Sequence, residues 1–311
     1  MSIASDVQQS EVPRVSIPIA YIGVILIWST TPLAIQWSGA GVGYLFGITS
    51  RMILGMLVGL MVAGLFSIPL PWHAGARRTY LAAGLGIFFA MTSVYWSSQF
   101  IPSGWISVLF GLAPIVTGLL ATFLLAERAL DAARLAGMLL GLSGLAIMLL
   151  GSQRLGPHAV WGIAGMVFSV TSYSASAVAV KRIGADVPAL ATTIGGLMVA
   201  VPLLVALYFL NGESLPAAVP KRALLSIVYL GLVGSVLGFA LYYYVLRHVE
   251  ATRVALITLV TPVLALMLGH LLNGETLQPE AVLGTAAILC GLLMFEYGQA
   301  AARWVRDTLR G

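Results

Sequence analysis

Charge is what this 311-residue sequence has least of. Sixteen Lys and Arg and eleven Asp and Glu make up 9% of it, and 59% of its residues are apolar. A soluble domain carries about 25% charged residues, so this chain, with a mean hydropathy of +0.99, lacks the polar surface to cover itself in water. Cysteine is nearly missing too, and the single Cys290 excludes a disulfide framework or a thiol metal cluster. His73, His158, His248 and His270 stand far apart, at no metal-ligand spacing, so neither a metal nor another cofactor is expected. No phosphate-binding loop and no Gly-x-Ser-x-Gly elbow occur, which argues against ATP-driven work or hydrolysis by this chain. Finally, none of the eleven acids falls in the middle of an apolar run. The carboxylate that a proton-coupled exporter keeps at membrane depth is therefore absent. Transport would be facilitative, or coupled by a group the sequence does not reveal.

What is abundant is continuous apolar sequence. Ten runs, at 17–36, 43–66, 79–100, 104–125, 134–151, 159–180, 188–210, 222–246, 253–273 and 279–298, have the length to span a bilayer core. They do not alternate, which favours helices over a barrel. The expected fold is an all-α integral membrane protein of about ten transmembrane helices. The first run is too long and too weakly flanked for a cleavable signal and reads as the first span. With a cytoplasmic N-terminus, twelve of the bases fall inside (Arg14, Arg77, Arg78, Arg128, Arg134, Lys181, Arg182, Arg247, Arg253, Arg303, Arg306, Arg310), and only Arg154, Lys221 and Arg222 outside. That bias accounts for the basic pI as a determinant of orientation rather than a nucleic-acid surface. The partners expected are the lipid bilayer and a small-molecule substrate, with no nucleic acid.

The chain also matches itself. Residues 95–127 align without a gap on 243–275, setting Tyr95 on Tyr243, Pro114 on Pro262 and Glu127 on Glu275; after a one-residue loss Gly137 and Gly144 fall on Gly284 and Gly291. Five spans per unit is an odd number, so the second unit enters from the opposite side, the inverted repeat that recurs in secondary transporters. The division expected is a cytoplasmic tail at 1–16, repeats at 17–151 and 159–298, and a basic cytoplasmic tail at 299–311. The Trp28-Ser29-Thr30-Thr31-Pro32 run, Arg51 in the second span and the twin units Pro114–Glu127–Gly137 and Pro262–Glu275–Gly284 resemble the drug/metabolite transporter superfamily, EamA type. The resemblance implies a ten-helix inner-membrane carrier for small metabolites, often amino acids, with both termini cytoplasmic. The seventh span departs from symmetry in having no counterpart of Arg51.

Candidate cavity faces follow from helical spacing. Ser169, Ser172, Tyr173 and Ser176 share one face, as do Thr92, Tyr95, Trp96 and Gln99; Trp28, Ser29, Pro32 and Gln36 belong to the first span, and Tyr243 and Tyr244 to the eighth. Together they would line a central cavity, or instead bond and fill gaps between helices. Arg51, the one formal charge well inside a span, would meet a substrate carboxylate or hold carbonyls of a neighbouring helix. Pro114 and Pro262, each crowding the carbonyl one turn back at Phe110 and Thr258, are hinge candidates. Glu127 and Glu275 read as structural caps or loop pins. Gly55-x-x-x-Gly59, Gly137-x-x-x-Gly141 and Gly234-x-x-x-Gly238 would serve helix packing or a homodimer equally. The reading is a non-ATP carrier exporting amino acids or related metabolites by alternating access. Its alternatives are an efflux carrier for amphiphilic drugs and, from other classes, an intramembrane enzyme or a non-transporting scaffold.

Overall fold

In lipid a backbone N–H or C=O has no water to bond, so apolar runs of this length close their hydrogen bonds within helices. The computed structural model describes residues 16–125, 132–151, 156–250, 254, 257 and 260–308, and among them there is no strand. The first half contributes α1 (Ile17–Gly39), α2 (Tyr44–Leu65), α3 (Ala74–Ser97), α4 (Ser103–Phe110), α5 (Ala113–Leu124) and α6 (Ala132–Gly151). The second contributes α7 (Ala159–Ile183), α8 (Ala189–Leu210), α9 (Lys221–Tyr229), a π-helical segment (Leu230–Leu237), α10 (Gly238–His248), α11 (Thr261–Asn273) and α12 (Pro279–Thr308). Seven stretches are long and apolar enough to cross a membrane, with α4–α5 counted as one and α9 to α10 as another. Ala132–Met148, Thr261–Asn273 and Pro279–Phe295 are shorter apolar helices. The last helix runs on to Thr308, well into the stretch expected to be a tail.

Two of the prolines mark helix starts, and two do not interrupt anything. Pro114 sits in the first turn of α5, after a break at Gly111–Leu112 where the Gly111 N–H turns back to Ser107 O and Val108 O. Pro262 holds the same place in α11. A first-turn position wastes no donor, because that N–H has no partner within the helix in any case. Pro32 and Pro202 lie inside unbroken α1 and α8. Glu127 and Thr258 lie outside the described residues.

Glycine sets how closely the helices meet. A Cβ added at Gly137 would lie 2.4 Å from Phe295 N, and one at Gly144 would lie 2.6 Å from Gly284 O. From the other side, Cβ atoms at Gly291 and Gly284 would meet Gly137 O at 2.5 Å and Gly144 O at 2.8 Å. The α6–α12 seam is thus backbone against backbone, which only glycine permits. Gly55 lies against Ser235 and Gly59 against Ile194, so these faces too are packed within the chain. Around this seam α1 packs on α9–α10 and on α11, while α7 packs on α3 and on α4–α5. Large apolar side chains such as Leu26, Leu57, Phe123 and Leu210 point outward, as a lipid-facing surface requires.

Gly291→Val should cost about 1–3 kcal/mol through overpacking against Gly137 and Gly141, read as a lower melting temperature in detergent. The outward-facing Leu139→Val should leave melting nearly unchanged. Equal melting of the two variants would contradict the seam.

Candidate functional site

Arg51 lies two turns into α2 and is 1% exposed. Its Nε donates to Ser235 Oγ at 2.9 Å and its Nη1 to the Tyr95 hydroxyl at 3.4 Å. The guanidinium carbon lies 6.0 Å from the Tyr95 ring centroid. Ser235 belongs to the π-helical segment, whose wider turn is a feature found mostly at functional positions. The same segment places Gly234 beside the guanidinium: a Cβ there would stand 3.2 Å from Nη2. The partners of this cation are therefore hydroxyls, and among the described residues no carboxylate pairs with it.

Arg51 opens on a cavity of about 70 Å³, lined from α1, α2, α3, α4, α7, α10 and α11. Elements of both halves therefore contribute to it. Trp28, Met91, Phe110, Tyr173 and Phe239 form an apolar and aromatic wall, and Thr31, Ser107 and Thr261 add hydroxyls. Among its lining residues Arg51 is the one formal charge. Its lining, mostly apolar with a few convergent polar groups, is of the kind that small-molecule sites have, in a space well below the about 300–1,000 Å³ of such sites.

The cavity does not stand alone. Met91, Tyr173 and Phe239 also line a void of about 20 Å³ with Tyr242 and Tyr243, and Tyr243 in turn lines a larger cavity of about 310 Å³. That larger cavity lies where α7 and α10 end and α8 begins, with Lys181, Asp186 and Arg247 at its edge. There Arg247 pairs with Asp186, and Lys181 donates to the carbonyls of Leu246 (3.2 Å) and Val249. The three spaces thus share lining residues from this end of the bundle toward Arg51, and Tyr173 and Tyr242 form with Trp28 a cluster whose ring centroids lie 5.2–6.0 Å apart.

At the opposite end polar contacts join the halves, beside a further cavity of about 310 Å³ lined by Thr30, Trp37, Arg222, Tyr229 and Leu272 among others. Glu275 accepts from Ser103 N (3.0 Å), Ser103 Oγ (2.6 Å) and Gly104 N (3.2 Å), so a carboxylate from after α11 caps α4. Gly274, with φ of 65°, turns the chain to deliver it, a conformation suited to glycine. Gly269 leaves it room, since a Cβ there would lie 2.4 Å from Glu275 Oε2. Asn273 Nδ2 donates to Glu275 Oε1 (3.0 Å) and to Gln36 Oε1 (3.3 Å), and its Oδ1 accepts from Trp37 Nε1 at 2.9 Å. Arg222 lies 3.8 Å over the Trp37 ring. The sequence reading of Glu275 as a cap thus acquires its partner, which belongs to the other half of the chain.

The sequence-derived candidates divide accordingly. Trp28, Arg51 and Tyr173 meet at the central cavity, Tyr95 supports Arg51 from behind, and Tyr243 lies on the route from the other end. Ser169 donates to Ala90 O (2.8 Å) and Ser176 to Ala82 O (3.0 Å), both on α3, so both bond across the α3–α7 seam, and Ser176 also lines the 20 Å³ void. Ser29 bonds to Ile25 O in its own helix. Thr92 keeps a buried hydroxyl with no hydrogen-bond partner, Trp96 packs on Phe100 and Gly165, and Gln99 is exposed. Ser172 is half-buried and Tyr244 lies against His248, both away from the cavity. The residues missed were Phe239 and Tyr242, although Phe239, Tyr242, Tyr243 and Leu246 repeat at i, i+3, i+4 and i+7, and all four are buried.

Residues 160–297 match the EamA-like transporter family, so the second half of the chain is an EamA-like transporter domain. The chain is 27% identical over 279 residues to a probable terminal-alkyne amino-acid exporter of Streptantibioticus cattleyicolor, covering 88% of this chain and 91% of that one. It is 25% identical to the uncharacterized transporter YoaV of Bacillus subtilis, over 90% and 96% of the two chains. A probable amino-acid metabolite efflux pump of Escherichia coli is 27% identical over 72% and 77%. One solved structure, 22% identical, shares the fold with a TM-score of 0.66 over 91% of this chain and 98% of its own.

Glu275→Ala removes the acceptor for two α4 N–H groups and a hydroxyl. It should cost about 1–3 kcal/mol, the range for charged caps and their hydrogen bonds, and Glu275→Gln should cost less. Melting of the two variants in detergent checks the order; Glu275→Ala as stable as the parent would remove the cap from the account.

Proposed function

We propose that this chain, whose second half is an EamA-like transporter domain, is a secondary carrier moving small organic metabolites, amino acids and their relatives foremost, out across a bacterial-type inner membrane. The observation that carries the reading is the central cavity: a buried cation and an aromatic wall placed between the two halves. The names of the relatives, exporters and efflux pumps of amino acids and their metabolites, agree with it.

The architecture proposed is ten crossings in two inverted repeats, the seven long stretches and three shorter apolar helices together making the count. Two features support the inversion. Exchanging the halves converts the Gly137–Gly291 contact into the Gly284–Gly144 contact, as a two-fold axis through the α6–α12 seam demands. The same exchange converts the neighbours of α1 into those of α7. Both termini lie in the cytoplasm in this reading, on the strength of the positive-inside bias. The end carrying Lys181 and Arg247 then faces the cytoplasm, and the Glu275 end faces outward.

In the described conformation the way to Arg51 leads from the Arg247 end, while the Glu275 network holds the far end shut. Alternating access would exchange these states by rocking one repeat on the other. Bending belongs at the Gly111–Leu112 break before Pro114 and at the corresponding start of α11 before Pro262.

Purified protein in liposomes, loaded with a panel of amino acids, organic acids and cationic drugs, should show saturable flux of at least one class without ATP. No flux of any solute by folded protein would contradict the carrier. Trp28→Ala, Tyr173→Ala and Tyr242→Ala should each change the preference among transported solutes, whereas Gln99→Ala should not. Unaltered preference in all three aromatic variants would take the cluster out of the site.

A further inference from the structure

The carrier reading leaves open which chemical group of the substrate the cavity recognises, and the distribution of charge around it bears on that question. Resting on that reading, we infer that the site selects an apolar organic carboxylate by its carboxylate alone, and that an ammonium group on the same molecule is not recognised.

Arg51 offers five N–H donors, and the described structure commits Nε to Ser235 and Nη1 to Tyr95, the latter at a long 3.4 Å. Both acceptors are neutral hydroxyls. Among the described residues no carboxylate pairs with this buried cation, and Arg51 lines the cavity, with Nη2 beside Gly234. A carboxylate supplies both what the charge and what the fork geometry want, two parallel N–H···O bonds to a planar partner. Thr261 and Ser107, each 3% exposed and lining the same cavity, are additional hydroxyl donors for such an anion.

The rest of the lining argues the other way for a cation. Among the described residues no acidic side chain lines the 70 Å³ cavity or the 20 Å³ void next to it. An ammonium ion would have to shed water there without a carboxylate to replace it. An aromatic cage could serve instead, but the rings of Trp28, Tyr173 and Tyr242 pack on one another at 5.2–6.0 Å, leaving no gap between them for a cation. Met91, Phe110 and Phe239 complete a wall suited to an alkyl or aryl group. The substrate these features describe is an acid with a hydrophobic body, for which a free amine is dispensable.

Three labelled probes of one shape separate the groups: 3-phenylpropionate, phenylalanine and phenylalanine amide. Uptake into liposomes holding the intact chain is measured above the rate in protein-free liposomes. The acid should enter at least as fast as the amino acid, and the amide at least tenfold more slowly than either. Arg51→Met, shown to be folded by its melting curve, should lose acid uptake tenfold or more, and Arg51→Lys should keep part of it. The wild-type comparison stands by itself should either variant fail to fold. Amide uptake matching the acid, a tenfold preference for the amino acid over the acid, or wild-type acid uptake by folded Arg51→Met each overturns the inference. Flux of other solutes with none of these three overturns it too while leaving the carrier intact; no flux of any solute overturns both.

Discussion

A guanidinium at 1% exposure inside a helix bundle must be solvated by the protein or by a ligand, and most of the site follows from how Arg51 meets that demand. A charge at membrane depth costs roughly 3 kcal/mol or more. The structure answers with two hydroxyls drawn from opposite halves of the chain, Tyr95 from α3 and Ser235 from the π-helical segment. Ser235 lies in the π-helical segment, and Gly234 beside it leaves the guanidinium room, since a Cβ there would stand 3.2 Å from Nη2. The cation thereby ties α2 to the second half at the level of the cavity. Among the described residues no carboxylate pairs with it, which is the ground for the carboxylate proposed as its ligand.

The second constraint acts at the end of the bundle. Glu275 brings a carboxylate to the α4 N-terminus, where unpaired N–H groups and the positive end of the helix favour it. Asn273, Gln36 and Trp37 extend that contact into a polar bridge between α1 and α11. These bonds are few, lie close to the surface and join the two halves, so they can break without disturbing the α6–α12 seam. At the Arg247 end a cavity of about 310 Å³ lies among the ends of α7 and α10 and the start of α8, and another of like volume lies beside Trp37 and Arg222 at the Glu275 end. The proposed alternation would make and break the few polar contacts at the Glu275 end.

Much of the fold was legible in the sequence, because a long apolar run leaves the backbone little choice but a helix. The structure's seven spanning stretches and three shorter apolar helices follow the predicted runs closely. The role of Glu275 was legible as a type of contact, but its partner was not, since nothing local points from residue 275 to Ser103. The site was legible only in part. Arg51 and Trp28 stood out as charge and aromatic in an apolar context, whereas serine at helical spacing looks alike whether it faces a cavity or a neighbour's carbonyl: Ser169 bonds to Ala90 O, and Ser176 bonds to Ala82 O while also lining the 20 Å³ void. Tyr242 was passed over beside Tyr243, although the Phe239–Leu246 periodicity marks it. The π-helical segment carries no sequence signal of the kind a proline gives, and the position of Ser235 on Arg51 depends on it.

The central claim is that one cavity, holding Arg51, opens in turn to the two sides of the membrane. It is tested most directly by placing a cysteine at Ser107, which lines that cavity, in a Cys290→Ala background. Reaction with a membrane-impermeant thiol reagent is then timed from each face of oriented vesicles. The account predicts fast labelling from the Arg247 face, and slow labelling from the Glu275 face that quickens when a transported solute is supplied. Labelling confined to one face under every condition, with solute present or absent, would contradict it.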